Sequence, residues 1–442
     1  MNYSETLQWI HSTGRFGIKP GLKRMSKMME LLGDPHKRIK VIHIAGTNGK
    51  GSTAAFLSKI LEKSGYRVGM YTSPYLEAFT NRMAINGEDI PEDTLVEIVK
   101  KMKPLVKEIS ADPELGQMTE FEVVTSIAFY YFASQAPDFV VLEVGLGGRL
   151  DATNIIENPL VAVVTNIGLE HTEILGDTIE KIAWEKAGII KDSVSVVTAV
   201  PRPEALRVIQ EKCQEKHAPL FNLREKVSIE KKSSSLEGQA FDYVNPQGLI
   251  LKDLCIRLLG EHQIINASTA VAVTEVLREK GFTISENSIG EGLKAARWAG
   301  RLEVMGKNPL LILDAAHNTD GVKSLQKALQ EQVEYAKLVL VIGILGDKAL
   351  DDMLKEIIPM ADKIVITKPD SPRAAEPETV AETAEKYTRL PIILEDSIPR
   401  AINIALSLAE PEDLLLISGS LYTISEARKA VMQMGDYKTP VL

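Results

Sequence analysis

Two kinds of apolar run alternate along the chain. Short runs at residues 40–45, 66–71, 139–142, 160–164 and 193–200 have strand length and read as members of a largely buried sheet. Between them apolar positions recur at three- and four-residue spacing. Ala54, Ala55, Leu57, Ile60 and Leu61 predict one such helix, and residues 119–132, 182–190 and 203–216 predict others. Helices at 5–10 and 24–32, joined by a turn-rich loop at 16–22, precede the first strand. A polar hairpin is expected at 233–248 and a long helix at 260–279. From Trp298 a fresh strand–helix series begins, with strands at 310–313, 337–343, 363–367 and 414–418. Alternation of this kind builds parallel sheets covered by helices. The pattern predicts an α/β protein of two domains, 1–297 and a smaller 298–442.

Composition narrows the function. At 442 residues the chain exceeds one ordinary core, and 45% apolar with 25% charged residues is a globular balance. A net charge of -9 leaves no basic excess for a nucleic-acid backbone, so any anionic ligand must be met by local positive charge. No apolar run approaches about 18 residues and none follows a basic start, which predicts a cytoplasmic protein without membrane span or secretory signal. Cys213 and Cys255 read as free thiols and are too few for a zinc site.

The chemistry centres on residues 40–53, KVIHIAGTNGKGST, a strand that breaks into a glycine turn and a helix. Gly46, Gly49 and Gly51 permit positive φ and close backbone approach, so that successive N–H groups of Thr47, Asn48, Gly49 and Gly51 can face an anion. The helix expected from about Ser52 aims its positive end at the same point. Lys50 adds a full charge for the β- and γ-phosphates, and Ser52 or Thr53 a hydroxyl for phosphate and Mg²⁺. The bland alternative is a plain turn.

Polar residues also stand where other strands end. In an open α/β sheet those ends face the ligand crevice. Ser73 follows one strand, Glu143 ends another in the manner of a Walker-B carboxylate, and His171 comes soon after a third. Oxygen ligands with one imidazole suit Mg²⁺ or Mn²⁺ better than zinc. Gly145, Gly147 and Gly148 imply that something approaches the backbone there. Glu122 reads as a capping-box partner of Thr119, and Lys186 either pairs with Glu185 or faces solvent. In the second domain Asp314 and His317 stand at a strand end, with Gly346-Asp347-Lys348 and Ser418-Gly419-Ser420 in equivalent places.

The order GTNGKGS resembles the loop of the Mur ligase superfamily, and more closely that of the folylpolyglutamate synthase/dihydrofolate synthase family. Thr72-Ser73-Pro74, Asn81-Arg82 with Asn86-Gly87, Gly145-Leu146-Gly147-Gly148-Arg149-Leu150-Asp151, Glu185-Lys186-Ala187-Gly188, His262-Gln263 with Asn266-Ala267, and Asp314-Ala315-Ala316-His317-Asn318 follow in the family's order. Tyr75 and Asn81 depart from the family's histidine and glutamate. The resemblance implies a Mur-ligase-like P-loop ATPase domain followed by a smaller Rossmann-like α/β domain. It implies an ATP-dependent amide ligase that adds L-glutamate to a folate-type carboxylate through an acyl phosphate, with ATP and two Mg²⁺ ions. The expected partners are the small-molecule substrates alone, and the chain is expected to act as a monomer.

Carried over residue by residue, Lys50, Lys186, His171 and His317 serve catalysis, and Lys186 bears a carbamate. Residues 47–52 with Asn266, Arg301 and Asp314 bind the nucleotide, and Ser73, Glu143 and His171 hold metal. Leu22, Arg24 and Phe121 belong to the pterin side; on residues alone Leu22 is packing and Arg24 a solvated charge. Asp151 either accepts N–H bonds from the pterin edge or caps the turn Ala152-Thr153-Asn154. The rival readings are a Mur-type cell-wall amino-acid ligase and a P-loop ATPase that moves a partner.

Overall fold

The computed structural model describes residues 1–17, 19–346 and 348–434, so Ile18 and the strand-end candidate Asp347 lie outside the described residues. The chain forms two compact units. One comprises Met1–Glu230, Asp242–Leu254 and Ile265–Ala295; the other takes Lys231–Phe241, Cys255–Ile264 and the described chain from Ala296. The second unit therefore begins at Ala296 rather than 298 and includes two segments that the sequence pattern assigned to the first.

In the first unit eight strands lie in the spatial order Glu88–Asp89, Met83–Ile85, Val68–Tyr71, Phe139–Glu143, Val41–Ala45, Val161–Val164, Ser195–Thr198 and Leu220–Asn222. The last six pair in parallel, and the first two form an antiparallel edge. Asn86 and Gly87 close that edge hairpin with φ of 52° and 81°, the left-handed pair that a tight two-residue turn demands. Val41–Ala45 sits between Phe139–Glu143 and Val161–Val164. The chain first leaves it toward Val68–Tyr71 on one side and later arrives on the other. That reversal opens a crevice beyond the carboxyl end of Val41–Ala45.

Helices Tyr3–Ser12, Lys23–Leu31, Glu92–Ala111 and Glu120–Gln135 bury their apolar faces in one core around Ile10, Met25, Val99 and Phe129. A second core packs Ile182, Ala187 and Ile209 against Val164 and Val196. Glu92–Ala111 and the strand Leu220–Asn222 were not among the predicted elements. No helix among the described residues is long and apolar enough to cross a membrane.

The second unit carries six strands in the order Glu303–Lys307, Leu310–Leu313, Leu414–Ser418, Leu338–Ile342, Lys363–Ile366 and Ile392–Leu394. All pair in parallel except Glu303–Lys307, which is antiparallel to its neighbour. The predicted hairpin at 233–248 is instead part of a three-stranded sheet, Ser228–Ser235, Gly238–Val244 and Ile250–Ile256, with Gly238–Val244 in the middle. Buried amides explain why its start belongs to the second unit. Gln239 Nε2 donates to the carbonyls of Leu258 and Gly260, while Gln332 Nε2 donates to Gln239 Oε1 and Gln332 Oε1 accepts from Gly260 N. Each buried polar atom of that pair has a partner, which is what burial requires.

Candidate active site

The strand Val41–Ala45 passes into the helix Lys50–Lys63 through Gly46 and Gly49, whose φ are 153° and 86°. A Cβ would stand 2.0 Å from Thr165 Oγ1 at Gly46 and 2.4 Å from Asn266 Oδ1 at Gly49, so neither position accepts a side chain. Gly51 does not share this conformation, because the helix starts at Lys50 and takes Gly51 into its first turn. The loop is clamped from the neighbouring strand end. Thr47 N donates to Asn166 O at 2.7 Å, Thr165 Oγ1 donates to Asn48 O at 2.8 Å, and Gly168 N donates to Thr47 Oγ1 at 3.1 Å. Ser52 and Thr53 are buried behind the loop, and Thr53 Oγ1 has no hydrogen-bond partner among the described residues.

Two ammonium groups converge on one carbonyl. Lys50 Nζ turns back to donate to Gly46 O at 2.9 Å and Thr47 O at 3.1 Å, while Lys186 Nζ donates to the same Gly46 O at 2.9 Å. Lys186 projects from the helix Ile179–Ala187 and is buried. Burial, with the Lys50 charge added to it, lowers its pKa to about 7 against the opposing pull of Glu170 and Asp151. The surface reading of Lys186 is thereby corrected: Glu185 pairs with Arg149 at 2.9 Å instead.

Glu143 ends its strand buried, 4.0 Å from Lys50 Nζ, and its Oε2 accepts from Ser73 N at 3.3 Å. Ser73, Glu143 and Lys50 thus meet beyond the strand ends. His171 adopts a positive φ of 51° and stands beside Glu170, Nε2 to Oε1 3.8 Å. Glu170 went unremarked in the sequence, yet its charge reaches Lys186. Among the described residues no three His, Cys, Asp or Glu side chains gather as a preformed metal cage. The donor set suits Mg²⁺, which keeps several waters and takes one or two carboxylates together with substrate phosphates.

The glycines of 145–148 are explained by the protein's own packing. A Cβ at Gly145 would meet the Phe121 ring at 2.3 Å, and one at Gly148 the Glu185 carbonyl oxygen at 2.8 Å. Asp151 fixes this segment: its carboxylate accepts from Leu146 N at 2.8 Å and from Thr153 N at 2.9 Å, and the Thr153 hydroxyl donates to it at 2.5 Å. Of the two readings of Asp151, the cap is the one these bonds realise. His43 extends the network. Its Nε2 lies 2.9 Å from Thr153 Oγ1, and because that hydroxyl gives its proton to Asp151, Nε2 is the donor. Burial holds His43 neutral, its pKa lowered to about 3.

Arg24 is not a solvated charge. Its Nε donates to both Glu122 oxygens, at 2.9 and 3.0 Å, in a pair whose side chains are 13% and 5% exposed. Glu122 also closes the predicted capping box with Thr119. Leu22 precedes the helix Lys23–Leu31 as its N-cap without a side-chain bond. The two departures from the family pattern have local work: Tyr75 lies 5.3 Å from the Arg82 guanidinium, and Asn81 Oδ1 accepts from the amides of Glu77 and Ala78.

In the second unit Asp314 follows the strand Leu310–Leu313, buried, and accepts from Leu302 N and Ala316 N at 2.9 Å each. Burial raises its pKa, against the Arg301 charge beside it. His317 Nδ1 stands 2.8 Å from the Ala315 carbonyl, so Nδ1 carries a proton and donates it there.

The chain is similar to known proteins along most of its length. Residues 44–274 match the Mur ligase middle domain family and residues 300–421 the Mur ligase glutamate ligase domain family. The chain is 39% identical over 429 residues to the dihydrofolate synthase/folylpolyglutamate synthase of Bacillus subtilis (strain 168), covering 97% of this chain and 98% of that protein. It is 34% identical to the folylpolyglutamate synthase of Lacticaseibacillus casei, covering 98% and 99%. The structure of a Mycobacterium tuberculosis folylpolyglutamate synthase complexed with ADP and AMPPCP superposes with a TM-score of 0.90 at 32% identity, covering 97% of this chain and 98% of that one.

Proposed function

The chain belongs to the folylpolyglutamate synthase/dihydrofolate synthase family of Mur ligases, and from that premise we propose that its glycine loop holds the phosphates of ATP while Lys50 and Lys186 serve the transferring group. The protein is an ATP-dependent ligase that joins L-glutamate to the carboxylate of a folate. The carboxylate oxygen attacks the γ-phosphorus, ADP leaves, and the amine of glutamate displaces phosphate from the acyl phosphate to form the amide. A carboxylate approaching a triphosphate brings like charges together, so the site must supply cations and N–H dipoles aimed at the transferring group. Lys50 and the loop amides are the groups proposed for this role. The observation that carries the reading is the convergence of the Lys50 and Lys186 ammonium groups on Gly46 O beside Glu143.

Mg²⁺, when bound, neutralises phosphate charge; Ser73, Glu143 and His171 are proposed to hold it. Buried Glu143 and the unpartnered Thr53 hydroxyl support that placement. We propose that Lys186 carries a carbamate. Its amine, with a pKa lowered to about 7, is substantially neutral at physiological pH, as attack on CO₂ requires. The carbamate places an anion where two cations otherwise crowd one carbonyl. Asn266, against Gly49, is proposed to read the base, and Arg301, Asp314 and His317 to serve the nucleotide from the second unit. Phe121 is proposed to flank the pterin ring, with Leu22, Arg24 and Asp151 shaping that side.

Product analysis tests the reaction. Incubation with tetrahydrofolate, L-glutamate and MgATP is expected to give one ADP per amide formed. ATP turnover independent of glutamate would refute the ligase reading. A parallel assay with dihydropteroate decides whether that acid is a second acceptor, as the double name of the Bacillus subtilis relative suggests.

A further inference from the structure

Arg301 lies in a stretch of backbone that is pinned on both sides of it. Gly300 N donates to Glu303 Oε2 at 2.8 Å and Gly300 O accepts from Ala315 N at 2.9 Å. On its other side Leu302 N donates to Asp314, and Leu302 has a φ of 44°, a left-handed conformation that a leucine adopts only when its surroundings impose it. Among the described residues the Arg301 guanidinium itself takes no hydrogen-bond acceptor; the Asp314 carboxylate lies near it, and so does the His262 ring, which burial and the Arg301 charge keep neutral. The backbone is fixed and the head is left for something else.

Glu303 does the pinning, and Glu303 is in turn held by one residue far along the chain. Arg428, on the helix Leu421–Gln433, donates through Nε to both Glu303 oxygens at 2.9 and 3.1 Å, and the two side chains are 10% and 9% exposed. A charge pair this buried contributes little net stability over a well-packed apolar pair. What it does supply is a rigid acceptor for Gly300 N. We propose that Arg428 and Glu303 are positioning residues for Arg301: they hold the turn at residues 300–302 so that the guanidinium is presented in one orientation to the anion it binds. This rests on the reading of Arg301 as a nucleotide contact.

The test replaces the pair by E303M/R428M, which removes both charges together, and separately makes R428K, which keeps the charge but not the planar Nε–H that spans both oxygens. Melting temperature, kcat, and KM for ATP and for the folate are measured for each, with Arg301→Ala as reference. Arg301→Ala is expected to raise the KM for ATP tenfold or more; if it does not, the nucleotide role of Arg301 fails, a result separate from any failure of the positioning role. The double variant is expected to melt within a few degrees of the parent, the unpartnered Gly300 N offsetting what is gained by removing two buried charges, while its KM for ATP rises roughly tenfold and its KM for folate stays within about twofold. R428K is expected to shift the same way by a smaller factor. Parent KM for ATP in a folded double variant overturns the proposal. So does a fall in kcat with both KM values unchanged, the signature of lost folded enzyme. Should the double variant fail to fold, R428K decides by the same criteria.

Discussion

A lysine that shares a carbonyl acceptor with a second lysine is poised to lose its proton. The ordinary value for Lys186 is 10.5, and burial and Lys50 bring it to about 7. Below that pH the amine is protonated and cannot attack CO₂; above it the neutral fraction approaches one. Carbamate at Lys186 is therefore expected to accumulate as pH rises through 7 and to level off above about 8. The carbamate carbon signal from labelled bicarbonate, present in the parent and missing in Lys186→Ala, measures it. Stability has the same sign. In carbon-dioxide-free buffer the unfolded chain binds the Lys186 proton more tightly than the folded one, so stability rises as pH climbs from about 7 toward 10.5. Lys186→Met is expected to flatten that part of the melting-temperature profile. At this scale legibility tracks locality. Lys50 and Glu143 were readable because the strand that places each runs directly into it. The residues around Lys186 left it on the surface, and only the resemblance pointed it inward, because nothing in its own helix reveals that Gly46, 140 positions earlier, receives its ammonium. Arg24 was misread for the same reason, with Glu122 98 residues away.

Among the elements, the glycine segment after Phe139–Glu143 shows how a motif can be read correctly and for an incomplete reason. Close approach was evident from the glycines, but the approaching groups are the Phe121 ring and the backbone of Ile179–Ala187. Asp151 holds that segment, so Asp151→Ala leaves the amide of Leu146 and the Thr153 groups unmatched in a buried place. The expected cost is about 2 to 4 kcal/mol in denaturant unfolding, with a larger KM for the folate and a KM for ATP within about twofold. An unchanged unfolding midpoint would show that the loop finds other partners. Gly49→Ala is expected to abolish nucleotide protection against thermal unfolding, since a methyl there meets Asn266 and the positive φ is strained besides. The alternating pattern disclosed the two sheets because both are mostly parallel and buried. It missed Glu303–Lys307 and Ile392–Leu394 at the sheet edges, short strands whose partners are set by the tertiary fold.

Taken whole, the molecule does not divide at a single peptide bond. The chain passes between its two units after Glu230, Phe241, Leu254, Ile264 and Ala295. A fragment cut at the boundary the sequence suggests, 298–442, lacks the strand residues around Gln239 and the segment with Leu259. Gln332 then loses both of its partners and the second core loses Leu259 and the packing of Leu236. Such a fragment is expected to melt without a cooperative transition, whereas the full chain melts cooperatively; a sharp transition in the fragment would show that the early segments are dispensable. The same threading sets an order of events while the protein is being made. Gln239 leaves the ribosome 93 residues ahead of the Gln332 amide that completes it, a wait of roughly 5 to 19 s at about 5 to 20 residues per second. For that interval a strand of the second unit has its sheet neighbours Ser228–Ser235 and Ile250–Ile256 at hand, while the Gln332 amide and the core it belongs to are still unsynthesised.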